Sequence, residues 1–181
     1  MGIEAVQRTR GSGRDVAAAL VTLVSALSAA MAKIKETGST NGPVLRQQVA
    51  ALPFRISRAG TIEVLIVTSR DTGRFIIPKG WKKKGHKKPD AAAIEAYEET
   101  GVIGKVQRKP IGCYDYWKRG DSEFERLQVF VYPLLVIEQR REWPEKGQRK
   151  MAWLSVEDAA LLVDEPQLAS LIRSFAGIFR S

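Results

Sequence analysis

Residues 80–102 read GWKKKGHKKPDAAAIEAYEETGV, and this stretch decides how the rest of the chain is understood. Asp90 is placed to N-cap a helix over residues 91–100, and Gly101 stands where a left-handed residue would end it. Within that helix Glu95, Glu98 and Glu99 fall at i, i+3 and i+4, so three carboxylates share one face about a turn apart. Like charges at that spacing repel by a few tenths of a kcal/mol per pair, and a hard divalent cation is the natural compensation. A solvated acidic face without a ligand is the alternative. Ala91 and Ala92, a turn earlier, leave room for a ligand on this reading, while Ala93, Ala96 and Tyr97 pack inward.

Outward from the helix the pattern is α/β. Residues 54–57 and 62–68 read as strands, the second containing the buried run VLIV, and Asp71-Thr72-Gly73 reads as a turn. A short strand over 74–77 is expected to stop at Pro78, followed by a lysine-rich loop over 79–89. Residues 105–117 and 124–137 form an expected pair of long strands, with Pro133 marking a bulge or an edge position in the second. A strand over 151–154 leads to Ser155, which with Asp158 makes a capping-box-like helix start, and Pro166 opens a last helix toward Phe179.

Upstream, residues 35–44 carry Gly38, Asn41, Gly42 and Pro43 and read as a linker, so the folded domain is expected over 45–181 with residues 1–44 as an extension. The apolar run 16–32 follows Arg8, Arg10 and Arg14 and admits four readings: a secretory signal, a membrane span about a turn short, a weakly amphipathic helix, or sequence upstream of a true start at Met31. The helix and the later start together are favoured over export, and no stable membrane insertion is expected.

Composition narrows the chemistry. With one cysteine, Cys113, the chain forms no internal disulfide and no cysteine-based zinc cage, which suits a cytoplasmic protein. With one histidine, His86, a metal must be held mainly by oxygen, which points to Mg²⁺, Mn²⁺ or Ca²⁺ and away from serine-histidine catalysis. The net charge of +9 is local: residues 70–89 hold eight Lys or Arg against one Asp. Such a field attracts polyanions, although a lysine run that only solvates a loop is the plainer alternative.

Gly80, Glu95, Glu98, Glu99, Gly101 and Val102 match the Nudix box, G-x5-E-x7-R-E-U-x-E-E-x-G-U, with its spacing intact, and the chain resembles the Nudix hydrolase family. His86 stands at the box's first glutamate, Ile94 at its arginine and Ala96 at an aliphatic site. Loss of the glutamate and arginine together removes a supporting ion pair without stranding either charge. PKGW at 78–81, AYEETGV at 96–102 and REWPEKGQRKMAWLSVEDAA at 141–160 are similar to the diphosphoinositol polyphosphate phosphohydrolase branch. That resemblance spans about residues 52–170 and implies a mixed β-sheet sandwiched between helices. It also implies Mg²⁺ (or Mn²⁺) held by Glu95, Glu98, Glu99 and a loop carbonyl near Lys79 or Gly80, with Glu95 as base and Glu99 as the firmest ligand.

The implied substrate is a small polyphosphate, such as a diphosphoinositol or dinucleoside polyphosphate, with nucleic acid not favoured. Lys79, Gly80, Lys82, Lys83 and Lys84 are the candidate substrate contacts, with Lys87 and Lys88 in the same loop. Glu123 and Glu125 are candidates for a further carboxylate, and Trp81, Tyr114, Tyr116 and Trp117 for stacking on a base, unless they are core. His86 reads as a bystander more than a phosphate contact. An impaired Nudix-fold module that binds polyphosphates or nucleic acid is a second reading, and removal of pyrophosphate from RNA 5′ ends a third.

Overall fold

A computed structural model describes residues 45–119 and 124–178. The apolar run 16–32, the linker 35–44 and Glu123 lie outside the described residues. The described strands are β1 (Arg46–Ile56), β2 (Ile62–Thr68), β3 (Phe75–Ile76), β4 (Lys79–Trp81), β5 (Val102–Val106), β6 (Gly112–Arg119), β7 (Phe124–Gln139) and β8 (Met151–Ser155). The helices are α1 (Lys88–Thr100), α2 (Val156–Leu162) and α3 (Pro166–Ile178).

The strands make one mixed sheet around β1 and β7, which run parallel from Arg46↔Leu127 to Phe54↔Leu135. Alternation along β1 builds two cores. Val49 and Ala51 face α1 with Leu65, Ala91, Ala92, Ala96 and Leu134, while Ala50, Leu52 and Phe54 face α2 and α3 with Ile66, Val129, Ile172 and Phe175. The expected helix, sheet and helix layering is therefore present. Ala91 and Ala92, however, are fully buried against the sheet and leave no room for a ligand.

The other flank of β1 is shared. Its first half pairs antiparallel with β4 (Val49↔Gly80) and its second half with β2 (Phe54↔Val64), and the Ala51 amide bonds to the Pro78 carbonyl between them. Lys79–Trp81 is thus a strand, and the lysine loop is confined to residues 82–87. Facing positions on paired strands project to the same side, so Gly80 faces α1 with Val49, and Lys79 faces the α2 and α3 side with Ala50.

Three further expectations are corrected. The helix starts at Lys88 rather than Ala91, because Pro89 favours the first turn; Lys87 occupies the N-cap position without a side-chain bond. Asp90, inside that first turn, accepts a bond from Arg108 at 2.7 Å. The single strand expected over 105–117 is two, β5 and β6, divided at Pro110. Pro133 is neither at an edge nor in a bulge. It lies in the central strand β7, where its carbonyl accepts from the Gln107 amide in the gap between β5 and β6, so its missing N–H faces the gap and breaks no ladder bond. The register irregularity lies further along, opposite Ile103 and Gly104.

The end of α1 follows the expectation. Gly101 has φ 75°, its amide bonds to the Tyr97 carbonyl at 2.8 Å, and a methyl group there would come within 2.7 Å of the Trp143 ring. Gly73 also has positive φ but faces open space. Gly101→Ala should therefore cost about 2 to 4 kcal/mol in urea unfolding, from left-handed strain plus overpacking, and Gly73→Ala about 1 to 2 from strain alone. Equal costs would show that Trp143 adds no constraint.

Candidate functional site

Glu95 and Glu98 of α1 are brought together by two neighbours of different kinds. Gly80 lies so close to the Glu95 carboxyl group that any side chain there would collide with it. The loop that leaves β4 then turns back, and Lys83 Nζ sits between Glu98 (2.7 Å) and Glu95 (3.2 Å). Their two acidic side chains thus converge on one cationic point. The hydrogen bond that Lys83 donates to Glu98 raises the lysine pKa above its ordinary value, against a smaller opposing effect of burial. Burial raises that of Glu95, although Lys83 opposes the change.

Glu99 has another partner. Its Oε1 accepts from Arg149 at 2.6 Å in an ion pair whose side chains are each 6% exposed. Arg149 also donates to the Thr68 carbonyl (3.1 Å) and to Glu145 (3.1 Å). The segment that carries Glu145 is fastened to the helix end: the Glu145 amide bonds to the Glu98 carbonyl, the Arg140 amide to the Gly101 carbonyl, and the Gln139 side chain to the Thr100 carbonyl. Carbonyls that have no partner within the helix are satisfied this way, and a fourth carboxylate is fixed beside the first three.

Sequence reasoning missed both Glu145 and Arg149, looking for the extra acid at Glu123 or Glu125. Glu125 instead pairs with Arg46 at 3.0 Å. The one signal was the charged run REWPEKGQRK at 141–150, whose place beside α1 depends on non-local pairing.

The lysines divide into three groups. Lys79 is partly buried, with Nζ 4.8 Å from the centre of the Tyr116 ring; burial lowers its pKa, opposed by the nearby Glu99 charge. Lys88 is held by Gln47 (2.9 Å) and lies over Phe130 at 4.0 Å. Lys82, Lys84 and Lys87 are exposed. His86 is exposed too, with its Nδ1 3.2 Å from the Lys84 carbonyl. Tyr114 and Tyr116 are core, Trp81 packs partly against the same core, and Trp117 is 63% exposed.

The donor set suits a hard cation. Glu95 and Glu98 already embrace an ammonium group, and Glu99 Oε2 is buried and accepts no hydrogen bond. Among the described residues no three acidic, histidine or cysteine side chains stand ready as a preformed group, because Lys83 and Arg149 hold the glutamates.

The chain and its fold have counterparts among known proteins. The NUDIX domain model matches residues 45–175. Nudix hydrolase 18, mitochondrial, of Arabidopsis thaliana is 35% identical over 120 residues, 63% of this chain and 66% of the relative. Human diphosphoinositol polyphosphate phosphohydrolase 3-beta is 30% identical over 129 residues, 70% of this chain and 74% of that one. The chain spans slightly less than two-thirds of the length of the Arabidopsis relative. A C. elegans Ap4A hydrolase structure has the same fold, with a TM-score of 0.55 at 18% identity, covering 75% of this chain and 99% of that one. No helix among the described residues is long and apolar enough to cross a membrane.

Glu99 makes the site's electrostatics measurable. Burial raises its pKa from 4.5 to about 7, outweighing the opposing pull of Arg149 and Lys79. A carboxyl group that holds its proton more tightly in the folded than in the unfolded chain contributes stability that is complete below 4.5 and lost as pH rises through 7. In metal-free buffer the stability of Glu99→Gln relative to the parent should therefore rise between pH 4.5 and 7.5, by up to about 3 kcal/mol in denaturant titrations. A difference that does not vary with pH would mean that Arg149 compensates the charge completely.

Proposed function

The chain belongs to the Nudix family, and from that premise we propose that it is a Mg²⁺-dependent hydrolase of a pyrophosphate bond in a small polyphosphate. The substrate class comprises nucleoside-diphosphate-linked compounds, dinucleoside polyphosphates and diphosphoinositol polyphosphates. The observation that carries this reading is the convergence of Glu95 and Glu98 on a single cation beside Glu99, which has one carboxylate oxygen free of hydrogen bonds.

Glu95, Glu98 and Glu99 would hold the metal, with Glu145 close by. Bound there, Mg²⁺ (or Mn²⁺) would neutralise phosphate charge and make an attacking water more acidic. The chain's own residues do the rest. Glu95, next to Gly80, accepts the proton of the attacking water. Glu99 is anchored by Arg149 and so fixes the site to the body of the fold. Lys82 and Lys84 extend into solvent where a polyphosphate would approach, and Lys83, once released from the glutamates, adds a third positive charge. The lone, exposed thiol of Cys113 suits a reducing compartment, and we place the protein in the cytoplasm.

A second reading, a binding module with impaired hydrolysis, draws on Lys83, which occupies the position between the glutamates that a metal would need. Phosphate release from dinucleoside polyphosphates, diphosphoinositol polyphosphates, ADP-ribose and 5′-triphosphate RNA separates the two. Hydrolysis predicts turnover that requires Mg²⁺ or Mn²⁺, stops on chelation and falls at least about 100-fold in Glu99→Gln. The binding module predicts no turnover, affinity unchanged by Glu99→Gln, and salt-sensitive binding lost when Lys82 and Lys84 are reversed to Glu.

A further inference from the structure

The loop that joins β4 to α1 sets one lysine apart from its neighbours. Lys82, Lys84, His86 and Lys87 are exposed, whereas Lys83 is partly covered and holds its ammonium against two carboxylates of α1. A local turn arranges this. The His86 amide bonds to the Lys83 carbonyl at 3.1 Å, and Gly85 between them takes the left-handed conformation at φ 81°. The Lys83 backbone is thus fixed from both sides, by β4 two residues earlier and by the turn that follows.

Charge and geometry show what the contact does. With every carboxylate counted as ionised, Glu95, Glu98, Glu99 and Glu145 supply four negative charges against the two positive ones of Arg149 and Lys79, which leaves −2. One divalent ion neutralises that excess. Lys83 reduces it to −1, and its Nζ lies against Glu95 Oε1 and Glu98 Oε2 at 3.2 and 2.7 Å. An ammonium and a hard cation do not share such oxygens, because their charges repel and the ion needs the lone pairs to which the ammonium's N–H groups point. Arg149 does not compete in this way: it takes Glu99 Oε1, while Glu99 Oε2 accepts no hydrogen bond.

Resting on the metal site of the hydrolase reading above, we propose that Lys83 is a built-in competitor for the divalent ion, which holds Glu95 and Glu98 against the metal and raises the metal concentration at which the site fills. Uptake of the ion then breaks two ion pairs. The loop, and not the glutamates alone, sets the affinity.

The test reads Mg²⁺ affinity by calorimetry on the full chain at about 0.15 M monovalent salt, where distant charges are screened. Lys83→Met should bind the ion at least about fivefold more tightly than the parent, because two partly exposed ion pairs no longer have to be broken. Lys84→Met removes the same charge from an exposed position one residue on and should change the affinity by less than about twofold. Lys83→Arg keeps the charge and should keep the weaker affinity of the parent. In the parent itself, saturating Mg²⁺ should speed the modification of Lys83 by an amine-acylating reagent relative to Lys84, read by peptide mass spectrometry, as the displaced ammonium enters water.

Equal affinity of Lys83→Met and the parent, equal gains from Lys83→Met and Lys84→Met, or labelling of Lys83 that the ion leaves unchanged overturns the proposal. Those results leave the hydrolase reading standing, since the parent still takes up the ion. Uptake by Lys83→Met but not by the parent upholds the competitor and replaces the hydrolase reading with the binding module. Uptake by neither sinks both.

Discussion

The buried ion pair between Arg149 and Glu99 ties the candidate site to the fold. One guanidinium group reaches the last turn of α1, the end of β2 through the Thr68 carbonyl, and Glu145 in the segment before β8. Three parts of the chain far apart in sequence are thereby held at one point. Removing one partner of such a pair typically costs about 3 to 5 kcal/mol, because the other charge is left buried and alone. The same geometry fixes where Glu99 can present its second oxygen, so the stability of the layer and the placement of the proposed ligand depend on the same contact.

Gly80 makes a comparable link through absence of a side chain. It lies on β4 opposite Val49 and faces α1, and its bare Cα is what lets the Glu95 carboxyl group lie against the sheet. The forked sheet, in which β2 and β4 share one flank of β1, brings that glycine under the helix. Pro133 fits the same plan on the other flank of the central pair. It stands where β6 has ended and β5 has not begun, so the central strand carries a proline without losing a bond.

What was legible in the sequence was what short-range periodicity encodes. The spacing of Glu95, Glu98 and Glu99, the left-handed end at Gly101 and the Ser155 cap, which accepts from the Asp158 amide at 3.1 Å, all depend on residues within a turn or two of one another. Non-local pairing hid the rest. Lys79–Trp81 carries the composition of a loop and becomes a strand only because β1 offers it an edge. Ala91 and Ala92 resembled a small-residue opening until the sheet covered them. Glu145 and Arg149 sit in a charged run with no periodicity, and only the bonds from the 139–145 segment to the end of α1 bring them to the glutamates.

The two cations nearest the glutamates are held on very different terms, and that difference reconciles a stable apo fold with the metal site proposed above. Four carboxylates, Glu95, Glu98, Glu99 and Glu145, would repel one another strongly if left without counter-ions. Arg149 is 6% exposed and anchored by three acceptors, so it remains part of the frame. Lys83 is 30% exposed, comes from a loop and, among the described residues, its ammonium pairs with Glu95 and Glu98, so it gives up little on returning to water. A divalent ion that takes its place restores more charge than it removes. On that proposal the glutamates would exchange one partner for the other without refolding, and the freed ammonium would be left at the edge where the phosphates of a substrate would lie.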